Sequence, residues 1–124
     1  MPLALVIDDD AQVRELVCVM LKRAGYDIVS AKDGREGLEA CKAKRPDVVV
    51  TDIFMPHQDG IDVLREIKSL PMPPRVVVIS GGSPRMQLDF LQIAQKLGAD
   101  SVLHKPFTRD QLLEAVATGS VQRA

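Results

Sequence analysis

Leu3-Ala4-Leu5-Val6-Ile7-Asp8-Asp9-Asp10 runs five apolar residues into three consecutive carboxylates. A five-residue apolar run is too short for a buried helix and right for a strand covered on both faces. Four other short runs resemble it: Asp27 to Ala31, Val48 to Thr51, Val76 to Ser80 and Ser101 to His104. The stretches 48–50 and 76–79 are continuously apolar, so these two strands are expected at the centre of a sheet.

The segments between the strands carry helical spacing. Val13, Leu16, Val17, Met20, Leu21 and Ala24 mark one face of a first helix, with Arg14, Glu15, Lys22 and Arg23 opposite and Gly25 as a stop. Asp10 is placed to cap its start. Further helices are expected over about 34–44, 60–70, 84–97 and 108–118, with Ser83 and Thr108 as caps for the last two. Strand and helix alternate five times, which requires parallel strands joined by right-handed crossovers, with helices on both faces. The expected fold is α/β: a doubly wound five-stranded parallel sheet with five helices. Pro71-Met72-Pro73-Pro74 reads as a rigid connection into the fourth strand, and residues 119–124 as a flexible tail of a single domain spanning 1–124.

Composition narrows the function. At 124 residues, with 16 Lys and Arg against 17 Asp and Glu, the chain fits one domain and carries no basic field for direct nucleic-acid binding. No stretch approaches the roughly 18 apolar residues of a membrane span, and Met1-Pro2-Leu3-Ala4 lacks a signal peptide's basic lead. The expectation is a cytoplasmic protein without membrane insertion. Cys18 and Cys41, the two cysteines, sit inside helical patterns with no metal-ligand spacing and read as free thiols.

In a doubly wound sheet, ligands bind outside the carboxyl ends of the strands. Asp8 and Asp9 end the first strand, Asp52 the third and Ser80 the fourth, and Lys105-Pro106 follows the fifth. Taken singly, an Asp after a strand is usually a turn former or cap, and a Lys there usually faces solvent. Taken together they converge on one edge, where three carboxylates cannot all ionise without a counter-charge. An all-oxygen set suits a hard divalent cation, Mg²⁺ first and Mn²⁺ as the alternative. His57 is a poor ligand for such an ion.

These residues resemble the response-regulator receiver domain of two-component signalling, from Leu3 to about Val116. The resemblance rests on Asp8-Asp9, on Thr51-Asp52-Ile53-Phe54-Met55-Pro56 with Asp59-Gly60, on Ser80-Gly81, and on Gly98-Ala99-Asp100 leading to Lys105-Pro106-Phe107. It implies a flavodoxin-like sheet of order 2-1-3-4-5 and a stand-alone phosphoacceptor rather than a metabolic enzyme, one that catalyses its own phosphorylation and dephosphorylation. Asp52 would take a phosphoryl group from the phosphohistidine of a histidine kinase or phosphotransfer protein. Asp9, Asp52 and the backbone carbonyl of Phe54 would hold Mg²⁺, with Asp8 acting through a metal-bound water. Ser80 and Lys105 would contact the phosphoryl oxygens, and the Lys105-Pro106 bond would be cis. A downstream protein would read the phosphorylated state, and a homodimer through the helix-four to helix-five face is a further option.

Two departures from the family stand out. Val102 occupies the position where receivers commonly carry a Tyr or Phe that swings on activation; a β-branched side chain has no ring to swing. The interval from Ser80 to Lys105 is about three residues longer than the common spacing, which directs attention to Gly81-Gly82-Ser83-Pro84 and helix four as the output surface. Two other classes fit less well. A haloacid-dehalogenase-like phosphatase needs Asp-x-Asp, and Phe54 stands where its acid would be. A phosphate-independent binding module gives Asp8, Asp9, Asp52, Ser80 and Lys105 no joint purpose. No P-loop sequence is present.

Overall fold

The computed structural model describes residues 2–52, 54–55, 58–81 and 92–117, and of residues 54, 55 and 58–61 the backbone alone. The sheet strands are β1 (Leu3–Ile7), β2 (Asp27–Ala31), β3 (Val48–Asp52), β4 (Arg75–Ser80) and β5 (Ser101–His104). They pair in parallel in the order β2-β1-β3-β4-β5. Helices α1 (Ala11–Arg23), α2 (Gly34–Lys44), α3 (Gly60–Lys68), α4 (helical over 92–96) and α5 (Arg109–Ala117) form the crossovers. The expected start of α4, with Ser83 as its cap, and the tail at 119–124 lie outside the described residues.

Each strand contributes alternate side chains to two cores. Leu5, Ile7, Val49, Val76 and Val78 pack with Val63, Leu64 and Ile67 of α3, Cys41 of α2 and Ala94 of α4. On the other face Ala4, Val6, Val48, Val50, Val77 and Ile79 pack with Val17 and Leu21 of α1 and Leu112, Ala115 and Val116 of α5. Continuous apolar strands follow from this two-sided burial: every side chain of β1 from Ala4 onward and of β3 is buried.

Local signals set the helix starts. Asp10 accepts from the amides of Gln12 (2.9 Å) and Val13 (3.3 Å), and Asp33 caps α2 through the amide of Glu36 (2.8 Å). Thr108 and Gln111 exchange a reciprocal pair of bonds at 3.1 and 2.8 Å, a capping box. Leu16, expected on the buried face of α1, is instead 53% exposed. At 3.6 residues per turn it lies about 100° round the helix from Val17, and Val17 with Leu21 defines the line of contact. The stretch after β3 also differs from a plain turn, because Phe54–Met55 pairs antiparallel with Gln58–Asp59 before Gly60 opens α3.

Both cysteines are free, and burial pushes both thiols above their ordinary pKa. Among the described residues no helix is long and apolar enough to cross a membrane.

Candidate functional site

Parallel register carries β1 and β3 to the same edge, since Ile7 lies beside Thr51 and the next residue of each chain is an aspartate. Carboxylate oxygens of Asp8, Asp9 and Asp52 lie within 4.8 Å of one another. Asp8 and Asp52 are buried and Asp9 is exposed. The expected pair from the first strand, completed by Asp52, is therefore assembled, and Asp10 has turned away to cap α1.

Asp8 is held from several sides. Its amide donates to the carbonyl of Ala31 (3.2 Å), its Oδ1 accepts from the amide of Asp10 (2.9 Å), and its carbonyl accepts from Arg14 Nη1 (2.7 Å). Its Oδ2 is buried with no hydrogen-bond partner among the described residues. Burial, reinforced by the charges of Asp52 and Asp9 and opposed by the Asp10 amide and Lys105, raises the Asp8 pKa to about 6. Arg14 had been placed on the solvent face of α1 by the helical pattern. Its return to the β1–α1 corner leaves no mark in the spacing, because a long side chain can reach a backbone carbonyl from many helix positions.

Lys105 Nζ donates to Asp52 Oδ2 at 3.1 Å. Burial opposes the ammonium charge, but Asp52, by charge and by hydrogen bond, together with Asp8 and Asp10 outweighs it, so the Lys105 pKa is raised. The Lys105-Pro106 peptide is cis, as expected. Gly81 lies beside the lysine stem: a Cβ there would meet Lys105 Cδ at 3.5 Å, an ordinary van der Waals contact.

Ser80 closes β4, one residue beyond Ile79, the neighbour of Asp52. Its Oγ is buried and has no hydrogen-bond partner among the described residues. Its carbonyl accepts from the amide of Lys105 at 2.8 Å. Phe54 is placed by its backbone in the short ladder after β3, two residues beyond Asp52. Val102 lies in β5 opposite Val78, half-buried against the α2–α3 core. His57 lies outside the described residues.

An acidic cluster faced by a lysine, at the carboxyl edge of a doubly wound sheet of order 2-1-3-4-5, defines a flavodoxin-like α/β domain of the receiver class. The sequence profile of the Response regulator receiver domain matches residues 4–117, and the chain belongs to that family, whose members are the phosphoacceptors of two-component signalling. Among its relatives, the chemotaxis protein CheY of Bacillus subtilis is 36% identical over 114 residues, covering 90% of this chain and 92% of that one. The transcriptional regulatory protein PdtaR of Mycobacterium tuberculosis is 38% identical over 113 residues, covering 90% of this chain and 53% of the regulator. The chain thus spans about half the length of that relative. A solved receiver domain from Clostridium thermocellum superposes with a TM-score of 0.88 at 32% identity, covering 99% of this chain and 96% of the other.

Proposed function

We propose that the chain is a two-component or phosphorelay receiver that accepts a phosphoryl group on Asp52 from the phosphohistidine of a histidine kinase or phosphotransfer protein. The observation that carries this reading is a pair of buried oxygens beside the Asp52–Lys105 pair that have no hydrogen-bond partner among the described residues: Asp8 Oδ2 and Ser80 Oγ. Buried polar atoms are nearly always paired with protein, water or a bound ion, and two such oxygens beside one ion pair suit a site that takes a polar group. The chemistry of the two differs: the carboxylate oxygen wants a cation, and the hydroxyl can donate to an anion.

The donor set fits a hard divalent ion. Asp9, Asp52 and the carbonyl of Phe54 would hold Mg²⁺, with Asp8 reaching it through water, and the ion would supply neutralising charge to the transferring group. Mn²⁺ would serve in its place. Asp52 is the nucleophile: one carboxylate oxygen forms the bond to phosphorus as the P–N bond breaks. The electron pair of that bond goes to the donor imidazole, which leaves neutral because its other nitrogen carries a proton. Lys105, already on Asp52 Oδ2, follows the charge onto the phosphoryl oxygens as a point charge. Ser80 donates its hydroxyl to one of them. Hydrolysis of the acyl phosphate at the same site returns the carboxylate.

Phosphorylation then alters the surface formed by α4 and β5, where a downstream protein or a second copy of the chain reads it. Val102, aliphatic and packed against the core, gives that change no aromatic side chain to carry it. Purified protein given Mg²⁺ and a small phosphodonor is expected to gain one acid-stable, base-labile phosphoryl group, and Asp52→Asn to gain none. Labelling of the variant at the wild-type rate would overturn the assignment, and chelation of the metal is expected to slow transfer.

A further inference from the structure

A groove of about 530 Å³ lies at the opposite edge of the sheet, between the end of α2 and the connection from α3 to β4. Two features of its wall are unusual. Arg45 (φ 49°) and Met72 (φ 53°) are the non-glycine residues with positive φ among those described, and both line this groove. Each also precedes a proline, Pro46 and Pro73, and the proline ring presses the preceding residue toward extended backbone. Left-handed backbone therefore costs more at these two positions than at an ordinary residue.

At Arg45 the left-handed residue is the C-cap of α2, its amide donating to the carbonyl of Cys41 at 3.0 Å, whereas at Met72 it projects a side chain into solvent. Met72 is 95% exposed, held between Pro71 and Pro73, which fix their own φ. Exposure of this side chain contributes nothing to the core, and its backbone has little conformational freedom left to lose on binding. Lys42 and Arg45 form the cationic side, and neither has an ion-pair partner among the described residues. Asp47 also lines the wall and is exposed, its Oδ2 accepting from the amide of Leu3 at 2.7 Å, and Arg75 donates to the carbonyl of Ala115 and to Ser101; with Lys42 and Arg45 the lining carries three basic side chains against one acidic, a positive wall. The groove thus presents an apolar knob beside two available cations.

We propose that this groove is a docking surface for an acidic segment of a partner protein, one that sets an apolar side chain against Met72 and carboxylates against Lys42 and Arg45. It is separate from the carboxyl-edge site by the length of a strand, about 17 Å, so a partner seated there leaves Asp52 accessible.

The test selects peptides from a random display library on the full chain and maps the selected sequences by amide chemical shifts. Enrichment in Asp and Glu next to an apolar residue is expected, with shifts at residues 42–47 and 70–75. Met72→Ser and Lys42→Glu are each expected to weaken the selected peptide by about tenfold or more. Arg45→Gly separates docking from folding: it relieves the left-handed backbone and should raise the melting temperature while weakening the peptide. Peptides without acidic enrichment, shifts confined to other surfaces, or unchanged affinity in both Met72→Ser and Lys42→Glu would overturn the proposal. So would concentration-dependent self-association that buries residues 42–47 and 70–75, since the occupant would then be a second copy.

Discussion

At the scale of single residues, Asp8 carries the clearest consequence. Its carboxyl is protonated more readily in the folded chain than in the unfolded one, because burial and the neighbouring aspartates lift its pKa to about 6. Between about pH 4 and 6 the native state therefore holds the extra proton, and stability of the metal-free protein falls as pH rises through that window. A rise from 3.8 to about 6 corresponds to about 3 kcal/mol, which solvent screening reduces, so the ionised carboxylate costs on the order of 2 kcal/mol above it. Asp8→Asn, which keeps an oxygen for the Asp10 amide, is expected to be about 1 to 2 kcal/mol more stable than wild type by urea denaturation at pH 8 without divalent metal. That advantage should vanish near pH 4, where the wild-type carboxyl is neutral. An advantage that persists there would show that charge is not its source.

At the scale of elements, contacts outside the acidic cluster hold the strands in position. Gly37 of α2 lies directly on Ile7, so that a Cβ would overlap Cδ1 and come within 2.7 Å of Cγ1. Gly37→Ala gains about 1 kcal/mol in helix propensity and loses about 1 to 3 in overpacking. A net loss of about 1 kcal/mol in chemical denaturation is expected, with Ile7→Val restoring part of it. Asp100 ties three elements: its Oδ2 accepts from Lys68 Nζ of α3 (2.9 Å) and from the amide of Val76 in β4 (2.7 Å), just before β5 begins. Asp100→Ala leaves that amide unpaired and should cost about 1 to 3 kcal/mol, whereas Asp100→Asn should cost less. These contacts also show where sequence reading ends. The strands and the order of helices were legible because apolar runs and 3.6-residue spacing report burial directly, and the site because each polar residue closes a strand. The close approach of Gly37 and the dual role of Asp100 were not, since both depend on what stands opposite in space. Asp100 was visible only as part of a motif, and Leu16 was misplaced because a helix's contact line is set by its neighbours.

For the whole molecule, an ion at the acidic edge would join β1 to β3 in the native state alone, so metal and folding are linked. Mg²⁺ at a hundredfold excess over its Kd is expected to stabilise the protein by about 2.7 kcal/mol, read as a rise in melting temperature at pH 8. The gain should shrink at pH 5, where Asp8 is mostly protonated, and a metal effect independent of pH would remove Asp8 from the ion's surroundings. One bond described above constrains any motion at this edge. The amide of Lys105 donates to the carbonyl of Ser80 at 2.8 Å, extending the β4–β5 ladder one step past His104. The serine and the lysine are therefore coupled: displacing one backbone without the other costs this bond, about 1 kcal/mol. The linkage ties the roots of both side chains, so a rotamer change of either is less costly than a separate shift of its backbone.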